Sequence, residues 1–168
     1  MLINIFRSGM SMKEILLSAI IMFIALTVSF AVHEFAHAFV AYKFGDDTPY
    51  NMGRVTLNPL AHVDPMGTVM LLLFGFGWGK PVPVNASRFN KLKSKRAMRI
   101  LVDLAGVIAN LLLALVASLI LGSMYGIVGL RSTPVISFFS GLLSYMIEFS
   151  ILLMAFNLIP IDRKSTRL

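Results

Sequence analysis

A chain of 168 residues that is 57% hydrophobic and 14% charged, with a mean hydropathy of +0.81, departs from soluble-domain composition. It suits one compact bundle of a few membrane-spanning helices. The absence of cysteine excludes disulfides and thiolate metal sites, so a zinc ion would have to be held by nitrogen and oxygen. The formal net charge of +7 lies mostly beside the apolar stretches, as expected of cytoplasmic loops facing anionic lipid; the lipid bilayer, not nucleic acid, is the expected partner.

The first ten residues carry only Arg7 and show no small-residue cleavage pattern, so the apolar helix that follows is expected to be retained. That helix, residues 11–44, is the first of three core spans. It contains His33-Glu34-Phe35-Ala36-His37. Histidines four apart lie one turn above each other on a helix face, so both imidazoles can grip one metal ion. Glu34, beside the first histidine, is placed to act as general base towards water at that metal. Ionisable residues are costly inside a membrane helix and are functional by default there.

Residues 45–97 read as a membrane-associated loop region. Gly45, Asp46, Asp47, Pro49, Asn51 and Gly53 are turn formers, and Arg54–Leu57 alternates polar and apolar residues like a short β-strand, pointing to a small β-hairpin. His62 falls among turn formers and is expected to be solvated at the interface. Residues 66–78 are apolar but broken by Gly67, Gly75 and Gly77, which suits a re-entrant or interfacial piece better than a crossing. Gly79-Lys80-Pro81-Val82-Pro83-Val84-Asn85 is expected to be extended.

The second core helix is placed at 98–121 and the third at 133–160. Gly122 and Gly126, although four apart, are read as loop residues, and Glu148 in the third span is given no role. Between Arg88 and Arg99 six of twelve residues are basic and none is acidic, which puts this run in the cytoplasm. The first and third helices then both run inward, and the N-terminus lies outside unless 66–78 also crosses. At ~1.5 Å per residue, His33 and Asn157 arrive at a similar depth towards the cytoplasmic face. Asn110 is read as bridging helices by hydrogen bonds, and Asn157 either does the same or touches substrate backbone or a developing oxyanion.

The chain resembles the site-2 proteases, intramembrane zinc metalloproteases. The likeness rests on His33-Glu34-Phe35-Ala36-His37, on Asn157-Leu158-Ile159-Pro160, and on four stretches between them: residues 53–60, residues 64–68, residues 79–85 and Ala105-Gly106-Val107-Ile108-Ala109-Asn110. It implies an all-α polytopic membrane protein that uses Zn2+ to cleave transmembrane protein substrates near the cytoplasmic face, in a prokaryotic cell membrane. It further implies that His33 and His37 are zinc ligands and Glu34 the general base. The family's third ligand is an aspartate eight residues after the asparagine, in a Leu-Asp-Gly tripeptide; here that position is Ser165. Asp162 stands three residues earlier and is the candidate substitute. The match breaks after Ile161, so residues 161–168 read either as foreign sequence or as a genuine divergence. Two alternatives therefore stay open: a catalytically impaired pseudo-protease that binds membrane segments, and a metal transporter built on the histidine pair.

Overall fold

A computed structural model describes residues 11–74, 79–128 and 133–158. Its helices are α1 (Met12–Lys43), α2 (Thr48–Asn51), α3 (Pro65–Phe74), α4 (Lys95–Val128) and α5 (Pro134–Leu158), with single 3₁₀ turns at Pro59–Ala61 and Ala86–Arg88. Helices α1, α4 and α5 are long and apolar enough to cross a membrane. Their 32, 34 and 25 residues extend about 48, 51 and 38 Å, against ~30 Å of hydrocarbon.

Local chemistry sets the helix ends. Ser11 and Glu14 form a reciprocal capping box at the start of α1: the Ser11 N–H donates to Glu14 Oε2 at 2.8 Å, and the Glu14 N–H donates to Ser11 Oγ at 3.4 Å. At the other end, Gly45 adopts φ +100°, and a Cβ there would fall 2.5 Å from Asn90 Oδ1. Ser94 accepts from the Ala97 N–H at 3.2 Å and starts α4 earlier than the apolar pattern alone suggests. The helix also runs through Gly122 and Gly126, which are helical and not loop residues. Glycine does not stop a helix whose backbone has no other hydrogen-bond partner in lipid. Pro134, at the first position of α5, follows Thr133, whose Oγ1 accepts from the Ile136 N–H at 3.3 Å.

The three long helices pack pairwise, and small and polar residues share their contacts with larger ones such as Ile21, Met22, Met98, Val107 and Phe149. Ala25, Ser29, Ala31, Ala38 and Ala41 of α1 are buried, as are Val102, Gly106, Asn110, Ala114 and Ala117 of α4. The outward faces carry Leu16, Leu17 and Ile20, and Leu111, Leu112, Leu115 and Leu119. Small and polar residues inside, with large aliphatics outside, suit lipid as solvent: small side chains let backbones approach, and buried polar groups pair across helices. Between α1 and α5, Met22 and Ala25 pack on Phe149, and the Ser150 hydroxyl donates to Ser29 Oγ at 3.4 Å.

No strand is present among the described residues, and Arg54–Leu57 corrects the β-hairpin expectation. The run is folded back by its own neighbours. The Arg54 side chain is buried and donates to the Ala61 carbonyl, while His62 Nε2 bonds the Thr56 carbonyl at 2.9 Å, so the backbone oxygen that a partner strand would need is already used. His62 is fully buried, not solvated. Helix α3 spans about 15 Å, half of a crossing, and Asp64 caps it by accepting from the Gly67 N–H at 2.8 Å. Residues 75–78, the end of the expected re-entrant piece, lie outside the described residues.

The chain then returns along α1 in extended form. The Lys80 N–H donates to the His62 carbonyl at 2.8 Å, the Asn85 N–H to Asp46 Oδ2 at 2.6 Å, and the Asn90 N–H to the Phe44 carbonyl at 3.0 Å. Phe89 is buried against Ala41, Met98 and Val102. Asp46 is fully buried, and its other oxygen accepts from the Thr48 N–H at 3.0 Å. Asp46→Ala leaves two N–H groups without an acceptor and is expected to cost about 2–3 kcal/mol, with Asp46→Asn milder. Thermal unfolding in detergent, together with faster proteolysis of the 79–95 segment, checks this; an Asp46→Ala protein as stable as the parent refutes it.

Candidate metal centre and cleft

His33, Glu34 and His37 sit on the turn of α1 that faces α4. One turn of helix separates the two imidazoles, and their Nε2 atoms approach to 3.0 Å. Each outer nitrogen is held by α4. His37 Nδ1 lies 2.6 Å from the Val102 carbonyl, and His33 Nδ1 lies 3.2 Å from the Asn110 side chain. A carbonyl can only accept, so His37 carries its proton on Nδ1 and turns the lone pair of Nε2 towards His33.

Gly106 makes this approach possible. A Cβ built on it would lie 2.4 Å from His37 Nε2 and 2.6 and 2.7 Å from Cε1 and Nε2 of His33. A single methyl group would occupy the space where the imidazole nitrogens converge. Gly106 and Asn110 are four apart on α4, as are His33 and His37 on α1, so two i, i+4 pairs meet across the helix contact.

Glu34 is buried and turned to a different wall. Its Oε2 accepts from the Val82 N–H at 2.9 Å, tying the extended segment to α1. His33, Glu34 and His37 open into a cleft of about 510 Å³, further lined by Pro81, Val82, Val84, Arg99, Asp103 and Asn157. Asn157 Nδ2 donates to the Leu153 carbonyl within α5 at 2.8 Å. Three helices and the extended loop thus contribute to one cleft. Asp162 lies outside the described residues. Val102, Gly106 and the Val82 N–H carry no side-chain signature of chemistry, which is why residue patterns alone did not single them out. Gly106, a glycine inside an apolar helix, is the one with a signal: such a residue marks a close approach.

The residues present fit zinc in two respects. Two nitrogens bound to one tetrahedral zinc at 2.0–2.1 Å stand about 3.3 Å apart, close to the separation found. Metal-ligating histidines also direct the second ring nitrogen to a carbonyl, carboxylate or similar group, as His37 does to Val102. Among the described residues no group of three histidine, cysteine, aspartate or glutamate side chains is assembled to hold a metal. The third protein ligand that a catalytic zinc site usually has is therefore not among them.

Sequence comparison finds relatives that are named as zinc metalloproteases. The chain is 46% identical over 142 residues to a Bacillus subtilis (strain 168) protein named "Putative zinc metalloprotease YwhC", covering 82% of this chain and 62% of that protein. It is 37% identical over 90 residues to "Putative zinc metalloprotease Rip2" of Mycolicibacterium smegmatis, and 39% over 89 residues to Rip2 of Mycobacterium tuberculosis strain H37Rv. Each mycobacterial match covers 52% of this chain and 34% of the relative. The chain thus spans less than two thirds of the length of these relatives. No family model and no solved structure matches it.

Alanine normally stabilises a helix relative to glycine by about 0.5–1 kcal/mol. That sign is expected at Gly126, where a Cβ meets nothing within 4 Å. At Gly106 it is expected to reverse, with Gly106→Ala losing about 1–3 kcal/mol through overpacking against the imidazoles. Unfolding of the two variants measured side by side decides the matter; a stabilised Gly106→Ala protein would contradict the packing described.

Proposed function

We propose that the chain is the core of a site-2-type intramembrane protease, which uses zinc to hydrolyse peptide bonds of transmembrane substrate proteins near the cytoplasmic face of a prokaryotic membrane. The observation that carries the proposal is the 3.0 Å approach of the His33 and His37 Nε2 atoms in a cleft that also holds Glu34, within a bundle of three helices apolar enough to span lipid. The names of the relatives support the same reading.

His33 and His37 would hold the metal. Zinc, when bound, supplies Lewis acidity towards the scissile carbonyl and lowers the pKa of water to about 7. Glu34 takes a proton from the attacking water as the new C–O bond forms, and passes it to the amine nitrogen, which leaves as the amide C–N bond then breaks. The remaining ligand would be a carboxylate following α5, and Asp162 is the one acidic side chain in that stretch. Asn157 lines the cleft, which supports a role for it towards substrate backbone or a developing oxyanion. A substrate helix must unwind to expose a carbonyl to this chemistry. The extended segment carrying Pro81, Val82 and Val84 borders the cleft, which supports it, more than Arg54–Leu57, as the surface beside the unwound segment.

The basic run from Arg88 to Arg99 assigns its side of the bundle to the cytoplasm. Arg99, at the end of that run, lines the cleft, which supports a cleft that opens towards the cytoplasm. With no native cysteine, one introduced at Ser94 reports this directly: it is expected to stay unlabelled by an impermeant thiol reagent added to intact cells and to react after lysis. Labelling in intact cells would invert the topology.

Glu34→Gln is expected to slow cleavage by roughly 10²-fold or more while bound zinc is retained, because Glu34 acts as a base and is not a ligand. The assay pairs cleavage of a membrane-helix substrate with metal content, in a chain whose third ligand is complete. A Glu34→Gln protein that cleaves at the parental rate overturns the mechanism. Binding of membrane segments with no cleavage by either protein favours the pseudo-protease alternative.

A further inference from the structure

Asn110 is a polar side chain deep in the bundle. It is fully buried at the α1–α4 contact; its Nδ2 meets His33 Nδ1 at 3.2 Å, and its Oδ1 has no hydrogen-bond partner. An orphaned amide oxygen in an apolar interior is destabilising. Its cause lies in the direction of the hydrogen bonds around it. Asn110 Nδ2 donates to His33 Nδ1; His33 then carries its proton on Nε2 and donates to His37 Nε2 at 3.0 Å; His37 Nδ1 donates to the Val102 carbonyl at 2.6 Å. Three bonds run one way from α4 through both imidazoles and back to α4.

A cation between the two rings requires the lone pair of His33 Nε2, so the ring must carry its proton on Nδ1 instead. Nδ1–H then needs an acceptor, and the Asn110 amide already lies within hydrogen-bond distance of it. A half-turn of the amide exchanges Nδ2 for Oδ1 at the same position. Because nothing else bonds Oδ1, the turn breaks only the bond that it replaces.

We propose that Asn110 is the positioning residue for His33: its amide oxygen accepts from His33 Nδ1–H when the histidine pair binds a divalent cation. Asn110 thereby plays for His33 the part that the Val102 carbonyl plays for His37. The inference rests on the zinc reading of the histidine pair. It assigns to Asn110 a role in metal affinity that helix bridging alone does not carry.

Zinc affinity is measured by competition titration of the detergent-solubilised chain, and cobalt in place of zinc gives a visible spectrum that reports the ligand set. Asn110→Leu, which keeps bulk and removes the acceptor, is expected to weaken zinc binding 10–100-fold, the usual effect of losing an outer partner of a metal-bound histidine. Asn110→Asp, which can only accept once ionised, is expected to bind at least as tightly as the parent and to retain the parental cobalt spectrum. Parental affinity in Asn110→Leu overturns the proposal. So does an equal loss in Asn110→Asp and Asn110→Leu with helicity intact, because the acceptor is then not what matters. His33→Ala/His37→Ala runs alongside. If it binds zinc as the parent does, the metal site itself is refuted; if it loses zinc while both Asn110 variants bind normally, only the role of Asn110 falls.

Discussion

The contact between α1 and α4 depends on fitting two imidazoles between two helix backbones. His37 reaches a main-chain carbonyl at 2.6 Å, so its ring edge lies against the α4 backbone itself. That distance is open only because position 106 has no side chain, and because Ala38 and Ala41 of α1 are fully buried small residues. Dispersion and close backbone approach drive helix association where lipid tails match side chains in polarity. The same small residues that let the helices meet leave room for the polar groups, so the stability of the bundle and the geometry of the site share one cause. α5 adds the third wall through Phe149 and the Ser29–Ser150 pair, and delivers Asn157 to the same cleft.

The region between α1 and α4 is held differently. Phe89 is its main apolar anchor; the remainder is fastened by polar groups taken out of solvent, with Asp46, Arg54 and His62 all buried. Each is tied to main-chain atoms: Asp46 to two N–H groups, Arg54 to the Ala61 carbonyl, His62 through Nε2 to the Thr56 carbonyl. Main-chain partners specify a path with little regard to neighbouring side chains. The result is an extended strip from residue 79 to residue 85 with prolines at 81 and 83, so donors on alternate residues are missing. Two donors that remain, at Lys80 and Val82, bond to the His62 carbonyl and to Glu34. Glu34 therefore links the helix that carries the histidines to the wall opposite them.

How much of this was legible beforehand follows from what each level of structure leaves in a sequence. Long apolar runs mark spans, so the first helix was foreseen at 11–44 and is found at Met12–Lys43. A cap decides an end more sharply than hydropathy does, which is why Ser94 moves the second start. The loop was misjudged for a reason of the same kind. Arg54–Leu57 alternates as a strand would, but alternation over four residues is weaker than two buried side chains bonding back to the loop's own carbonyls. The turn formers around His62 suggest a solvated side chain; its ring instead bonds the Thr56 carbonyl, and its own carbonyl accepts from Lys80, eighteen residues on and outside any local window. Of the candidate site, the histidine pair and Glu34 were visible as side chains, whereas Val102 and Val82 take part through main-chain atoms that every residue has.

The end of α5 bears on the third ligand. Asn157 lines the cleft in the last turn of the helix, so the residues after it start from the site and not from a distant loop. At a maximum of ~3.3–3.6 Å per residue, the five residues to Asp162 reach up to about 17 Å and the eight to Ser165 up to about 28 Å. Both exceed the width of a cleft of about 510 Å³, so reach does not discriminate between the two positions. Donor chemistry does. A carboxylate is ionised at neutral pH and binds zinc at 2.0–2.2 Å, whereas a serine hydroxyl would first have to surrender a proton that a carboxylate has already lost. With cysteine absent and His62 buried, a carboxylate from the stretch after α5 would suit the nitrogen–oxygen site proposed above better than a hydroxyl would.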